Sequence, residues 1–346
     1  MRGAPRRSPG RWRLAAPLAA LAVVLALAPG RGEGQVPPTI STLTLFAGTA
    51  EGLWRSGNWG GSWQRVLGKA SSGVTLDDLG AARHILPLTT DVWVAGEGGL
   101  FHSPDFGESW ERVSSMSGLR AVLLPRWPQA DPAVFVGTGS GLLRTLDNGR
   151  TWVGRGLEGV ALRRVEWPGP AMVVACDRGL LVTMDEGATW AGPGEGLPEG
   201  PVVAMALSSY FAVDPVAFAA PASGGVYRSS DGGRRWAPSG LADQKVGDLV
   251  WLGPFLYAAA EGGFFRSQDA GATWSRLSDS PGVPGRLMFP LAPAAGTEAF
   301  LATDRGLFHT TDAGEHWRAR GFDGQPVLDV ATFPPPDPVR SKKPRR

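Results

Sequence analysis

The sequence predicts an all-β fold, a seven-bladed β-propeller of four-stranded antiparallel blades, and three observations carry that prediction. An eight-residue pattern, Ser/Thr-x-Asp/Asn-x-Gly-x-x-Trp, returns seven times in 346 residues. Its acidic or amide position falls at Asn58, Asp105, Asp147, Asp185, Asp231, Asp269 and Asp312, at intervals of 47, 42, 38, 46, 38 and 43 residues, the length of one propeller blade. Upstream of each pattern lies an apolar run, a small-residue turn and a second apolar pair, as in L-F-A-G-T-A-E-G-L-W-R-S (45–56) and V-F-V-G-T-G-S-G-L-L-R-T (134–145). Short apolar runs bounded by Gly-rich turns read as consecutive strands of a meander.

One repeat therefore carries strands A to D, with the eight-residue pattern as the turn from C to D. Each residue type meets a need of that turn. The Asp or Asn side chain accepts backbone N–H bonds, as in Asx turns. The glycine, for example Gly149 or Gly187, supplies a position where φ > 0 costs little. The tryptophans Trp63, Trp110, Trp152, Trp190, Trp236, Trp274 and Trp317 each bury on the order of 200 Å² against a neighbouring blade. A carboxylate needed in every blade is a structural carboxylate, because a catalytic one is needed once.

Closure is also readable. The first pattern is preceded by strands B and C but by no strand A, whereas P-V-L-D-V-A-T-F-P (326–334) follows the last one and matches the strand A runs L-R-A-V-L-L-P (119–125) and L-R-R-V-E-W-P (162–168). The C-terminal strand is expected to complete the first blade, which removes free sheet edges.

The repeated pattern resembles that of the Asp-box, or bacterial neuraminidase repeat, family of WD40/YVTN/BNR-like propellers, over nearly the whole chain after the first forty residues. The resemblance implies that the C–D turns share one face, and that active sites or partner surfaces lie on the opposite face, formed by the D–A and B–C loops. In general pattern the chain is similar to photosystem II assembly-factor-like and sortilin-type propellers, which bind proteins.

Residues 1–34 combine a basic start with an apolar run from Leu14 to Ala28, the pattern of a secretory signal peptide. Fifteen apolar residues fall short of the ~20 of a membrane span, although an uncleaved anchor is the alternative. The propeller is expected over 35–338, and the basic stretch 339–346 is expected to be a disordered tail. Residues 1–34 hold six Arg and one Glu, so without them the formal charge falls from +2 to −3, and without the five cations after Pro338 it falls to −8. An acidic body argues against nucleic-acid binding. The single Cys176 sits in the apolar run A-M-V-V-A-C and reads as a small buried residue.

Catalytic signatures are sparse. A sialidase-type site needs a Tyr nucleophile, and the three tyrosines, Tyr210, Tyr227 and Tyr257, fall in an A–B connection and two strands. Glycosidic chemistry in one ring needs two carboxyl groups at roughly 5–9 Å; the mouth offers Glu51, Glu97, Asp177, Glu261 and Asp304 on B–C turns, and Asp77 and Asp78 on a D–A connection. His84, His102, His309 and His316 lack metal-ligand spacing, and no metal or cofactor is expected.

One column of residues stands out. Aligning the strand A runs by their apolar residues places Arg83, Arg120, Arg163 and Arg286 at one leading position, with Val203, Gly247 and Leu328 in the other blades. Arg164 lies beside the column, and Asp248 and Asp329 hold its neighbouring position elsewhere. These arginines either form an open cationic rim or pair with the acidic turns. The resulting expectation is an exported, monomeric binding or assembly module for a protein or a glycan, with its binding face at the propeller mouth. The alternative is a carbohydrate-active glycoside hydrolase or lectin, for which Trp93, Trp127, Trp167 and Trp251 are the candidate mouth aromatics.

Overall fold

The computed structural model describes residues 44–66, 69–70, 79–88, 91–124, 133–167, 170–208, 211–252, 254–289 and 297–333. The leader over 1–34 and the tail over 339–346 lie outside these, as do Asp77, Asp78, Trp127 and Tyr210. The described residues form seven antiparallel blades in a ring, which is a seven-bladed β-propeller. Blade 1 has the C-terminal strand Val327–Phe333 as its strand A, paired with Thr44–Thr49, then Gly52–Ser56 and Gln64–Arg65. One strand from the end and three from the beginning thus shut the ring, as the repeat pattern predicts.

The strands A of blades 2 to 7 are Ala82–Leu88, Leu119–Leu123, Leu162–Glu166, Val202–Leu207, Val246–Leu252 and Pro284–Met288. Two blades depart from four strands. Blade 2 gains a fifth, Lys69–Ala70, parallel to Ser109–Trp110. Blade 4 has three, and a lone bridge from Val182 to Ala191 stands where its strand D would run. Gly192-Pro193-Gly194 follows, and a proline without an N–H cannot extend the ladder.

The core is divided among the seams between blades. Seven clusters of buried residues each join two neighbours: Phe46 and Leu53 meet Val92 and Phe101 between blades 1 and 2, and Leu45 and Val330 meet Phe300 and Leu307 between blades 7 and 1. Alternating strand residues face left and right neighbours, so each strand B is buried on both sides, as in Val134–Thr138 and Met172–Cys176. Cys176 is one of these apolar residues, and burial pushes its thiol pKa up.

The repeated turn is held by its own side chains. In blade 3 the Thr145 hydroxyl donates to Asp147 Oδ1 at 2.8 Å and accepts the N–H of Gly149 at 3.0 Å. Asp147 Oδ1 also accepts the N–H of Thr151, whose hydroxyl donates to Oδ2 at 2.6 Å. Two consecutive residues are left-handed, Asn148 at φ 57° and Gly149 at φ 82°, one more than the glycine alone would suggest. The tryptophan then reaches the preceding blade: Trp63 Nε1 donates to Arg320 O at 2.6 Å, Trp190 to Arg155 O at 3.0 Å and Trp274 to Ser239 O at 2.7 Å.

Candidate functional site

Every strand A carries a one-residue bulge near its start, and the bulge decides where the mouth residues stand. Ala82 pairs with Gly96 and His84 with Ala95, leaving Arg83 as the extra residue. The same shift leaves Arg120, Arg163, Val203, Gly247, Gly285 and Leu328 as extra residues in the other blades. A bulged residue is turned out of the ladder, which places these side chains at the rim. Arg286 is not among them. It occupies the next position, equivalent to Arg164, because Pro284-Gly285 offers no apolar residue to anchor an alignment by hydrophobicity.

The rim is not a ring of open cations. Arg83 pairs with Glu97 and Arg163 with Asp177 at 2.8 Å, each on the B–C turn of its own blade. Blade 3 has Gly139 at the corresponding turn position, and Arg120 is exposed with no ion pair among the described residues. Exposed pairs of this kind contribute ~0–1 kcal/mol, so the pairing neutralises charge more than it adds stability. Asp304 accepts the N–H of Val283 at 2.7 Å. Around blades 5 to 7 the bulge residues are the small Val203, Gly247 and Gly285, and a cleft of about 290 Å³ opens among Val203, Pro221, Val283 and Pro284, with Lys245 and Glu261 also in its lining.

The position after the bulge points into the channel and gathers His84, Arg164, Asp248, Arg286 and Asp329. Three of these satisfy the inner edge of the next blade. Asp329 Oδ2 accepts the N–H of Ile85 at 2.8 Å, Asp248 Oδ2 that of Leu287 at 2.7 Å, and His84 Nδ1 that of Val122 at 3.3 Å. Innermost amides have no further strand to pair with, so a side-chain acceptor meets an obligatory demand. With Nδ1 accepting, the His84 proton sits on Nε2. Burial holds its pKa down at about 4, against the attraction of Asp329 and with the help of Arg286 and Arg164.

The two arginines tie the cluster together. Arg164 Nη2 lies 3.1 Å from Asp248 Oδ1 and donates to Gly285 O at 2.8 Å, which links blade 4 to blades 6 and 7. Arg286 Nε lies 3.4 Å from Asp329 Oδ1, and its Nη1 lies 4.0 Å from Asp248 Oδ2. Asp248 and Asp329 are buried, at 1% and 3% exposure. Glu166, two residues beyond Arg164, makes no hydrogen bond among the described residues. Burial pushes its carboxyl up to about 7; Arg286 and Arg164 oppose the shift and Asp248 adds to it.

Sequence reasoning reached Arg164 and Arg286 as rim residues, weighed His84 only as a metal ligand, and did not single out Glu166. The available signal was an acid in the apolar runs V-G-D-L-V and V-L-D-V-A, where burial demands a partner. The aromatic candidates resolve differently. Trp93 is 7% exposed and stacks on His102, Trp167 packs edge-on against Phe135, and Trp251 packs edge-on against Phe218. All three belong to seams, Trp93 buried and Trp167 and Trp251 half-buried. Tyr257 is buried at 1% exposure, and Tyr227 is half-buried in strand C of blade 5. The remaining histidines stand apart: His102 with Glu111, His309 with Glu298, and His316 in a turn with Asp312.

No protein-family model matches the chain, and no curated protein matches it. Solved structures do. YCF48 from Cyanidioschyzon merolae is similar at 16% identity and a TM-score of 0.57, over 80% of this chain and 95% of that one. YCF48 bound to a D1 peptide gives 17% identity and 0.57, over 80% and 91%. The GH74 xyloglucanase from Xanthomonas campestris gives 17% and 0.51, over 84% of this chain and 60% of the enzyme. At these identities the likeness extends to the fold alone.

Proposed function

We propose that the chain is an exported Asp-box propeller that acts by binding, with the loop face around the channel mouth docking a protein partner. The observation that carries this reading is how the axial carboxylates are used. Asp248 and Asp329 each hold a backbone amide of the next blade and a guanidinium, which is a structural assignment for both. Arg120 stands open on the rim at blade 3, and the cleft at blades 5 to 7 offers Val203, Pro221, Val283 and Pro284 on the same face; a partner that brings both an acidic group and an apolar contact suits this face. In the solved complex, YCF48, a propeller of similar fold, holds a D1 peptide.

The test is affinity capture from the native cell envelope with wild type and with Arg120→Glu. A partner retained by wild type should be lost from the variant, and retention should weaken with salt, because exposed charge attraction is screened. The melting temperature should not change. Equal capture by both chains would overturn the assignment of the loop face.

A second reading as a glycoside hydrolase rests on Glu166. A carboxyl pushed up to about 7 by burial has the raised pKa that a glycosidase general acid uses. Release of reducing ends from xyloglucan by wild type, abolished in Glu166→Gln, would favour it over the binding reading.

A further inference from the structure

On the face formed by the repeated turns, one seam differs from the rest. In strand C, the residue before the first turn hydroxyl usually meets a partner. Arg55 pairs with Glu108 of the next blade at 2.7 Å and donates to Phe106 O at 3.1 Å. Arg144 pairs with Glu186 of the next blade at 3.2 Å, and His102 and His309 meet Glu111 and Glu298. Arg228 in blade 5 faces Ala270 and Ala272, the positions equivalent to Glu186 and Glu108, and it is exposed with no ion pair or hydrogen bond among the described residues.

The same blade breaks the turn pattern at a second point. Ser109, Thr151, Thr189 and Thr273 each donate a hydroxyl to the second carboxylate oxygen of their turn. Blade 5 has Arg235 there. Asp231 Oδ1 still accepts the Ser229 hydroxyl and two backbone N–H groups, but Oδ2 has no donor among the described residues. The result is a cleft of about 700 Å³ lined by Arg228, Arg235, Asp231 and the small residues Ala237, Gly271 and Ala272. Arg234 lines the adjoining cleft of about 570 Å³.

We infer that this seam, between blades 5 and 6, is a binding site for an anionic sugar. Arg228 and Arg235 are open guanidinium donors for an acid group, a phosphate, sulfate or carboxylate. Asp231 Oδ2 is an open acceptor, which a bare anion would avoid and a sugar hydroxyl satisfies. Of the apolar lining, Trp236 is 6% exposed and Ala237, Pro238, Ala270 and Ala272 are small, and the volume suits a mono- or disaccharide. Asp269 makes no ion pair with either arginine among the described residues; its oxygens accept the Ser267 and Thr273 hydroxyls and the Thr273 N–H within its own turn.

The test is calorimetric titration of the full chain with glucose 6-phosphate, glucosamine 6-sulfate and glucuronic acid, with glucose as the neutral control. At least one acid should bind with a stoichiometry of one, and glucose at least about tenfold more weakly. The double variant Arg228→Gln/Arg235→Gln should lose about tenfold or more. Ala272→Glu restores the acid that faces Arg55 in blade 2 and should abolish binding, while the uncharged Ala272→Gln should retain it. The inference is overturned if none of the three acids binds wild type, if binding survives in the double variant and in Ala272→Glu, or if polyglutamate binds the seam as tightly as the sugars.

Discussion

Glu166 and His84 sit in the same channel and oppose each other as pH changes. The Glu166 pKa is raised from 4.5 to about 7 by burial, so the folded state holds its proton more tightly than the unfolded chain does. Its contribution to stability is fully present below about 4.5 and is lost as pH rises through 7. The His84 pKa is lowered to about 4, so its contribution is present above 6.5 and is lost as pH falls through 4. Glu166→Gln should therefore raise the melting temperature at pH 8 and leave it nearly unchanged at pH 4. At about 1.4 kcal/mol per tenfold change in proton affinity, the shift bounds the gain at about 3 kcal/mol. That shift is already net of the attraction to Arg286 and Arg164, and solvent screening of a half-buried carboxyl reduces the gain to roughly 1–2 kcal/mol. Thermal melts of both chains across that range check the sign. Turn residues were legible in the sequence because each answers a local demand: Asn58 Oδ1 accepts the Ser62 N–H as Asp147 accepts that of Thr151, with no charge needed. Glu166 was not legible, since its chemistry comes from blades that lie far from it in sequence.

Among the elements, strand A carries most of the information about the mouth, and its bulge explains why reading the rim from sequence went one residue astray. Counting apolar residues back from the strand put Arg286 in line with Arg163, whereas the ladder puts Gly285 there and Arg286 inside. A bulge adds a residue without changing the apolar pattern that follows, so only register reveals it. The glycines at the bulge are not equivalent either. A Cβ at Gly247 would stand 2.0 Å from Pro284 O, while at Gly285 the nearest atom is 3.7 Å away. Gly247→Ala should cost roughly 1–3 kcal/mol by forcing strands A of blades 6 and 7 apart. Gly285→Ala should be close to neutral. Denaturant unfolding of the pair separates inter-blade crowding from any general intolerance of side chains at the rim.

For the whole molecule, ring closure was legible because 326–334 repeats the strand A pattern at the far end of the chain. The axial lock was not, because it joins blades three places apart, as Arg164 does with Gly285. Closure also makes one strand serve two seams: Val327 and Val330 pack toward blade 7, and Ala331 toward blade 2. A chain ended after Gly324 should lose both contacts and expose Thr44–Thr49 as an unpaired edge, which templates association. Light scattering should show soluble oligomers or aggregate, and a synthetic peptide covering 325–333 should restore the monomer. A truncated chain that stays monomeric with an unchanged melt would show that closure is dispensable.

Thr44 and Phe333 are direct partners in the ladder of blade 1, so the places where the chain enters and leaves the described ring are neighbours. Tension applied between them loads that ladder from its open end, and the pairs from Thr44–Phe333 to Thr49–Val327 part in succession, like a zip, instead of shearing together. The closed ring is thus mechanically soft along one line. A tether attached at both of these points would open the ring at forces that leave the other six blades intact.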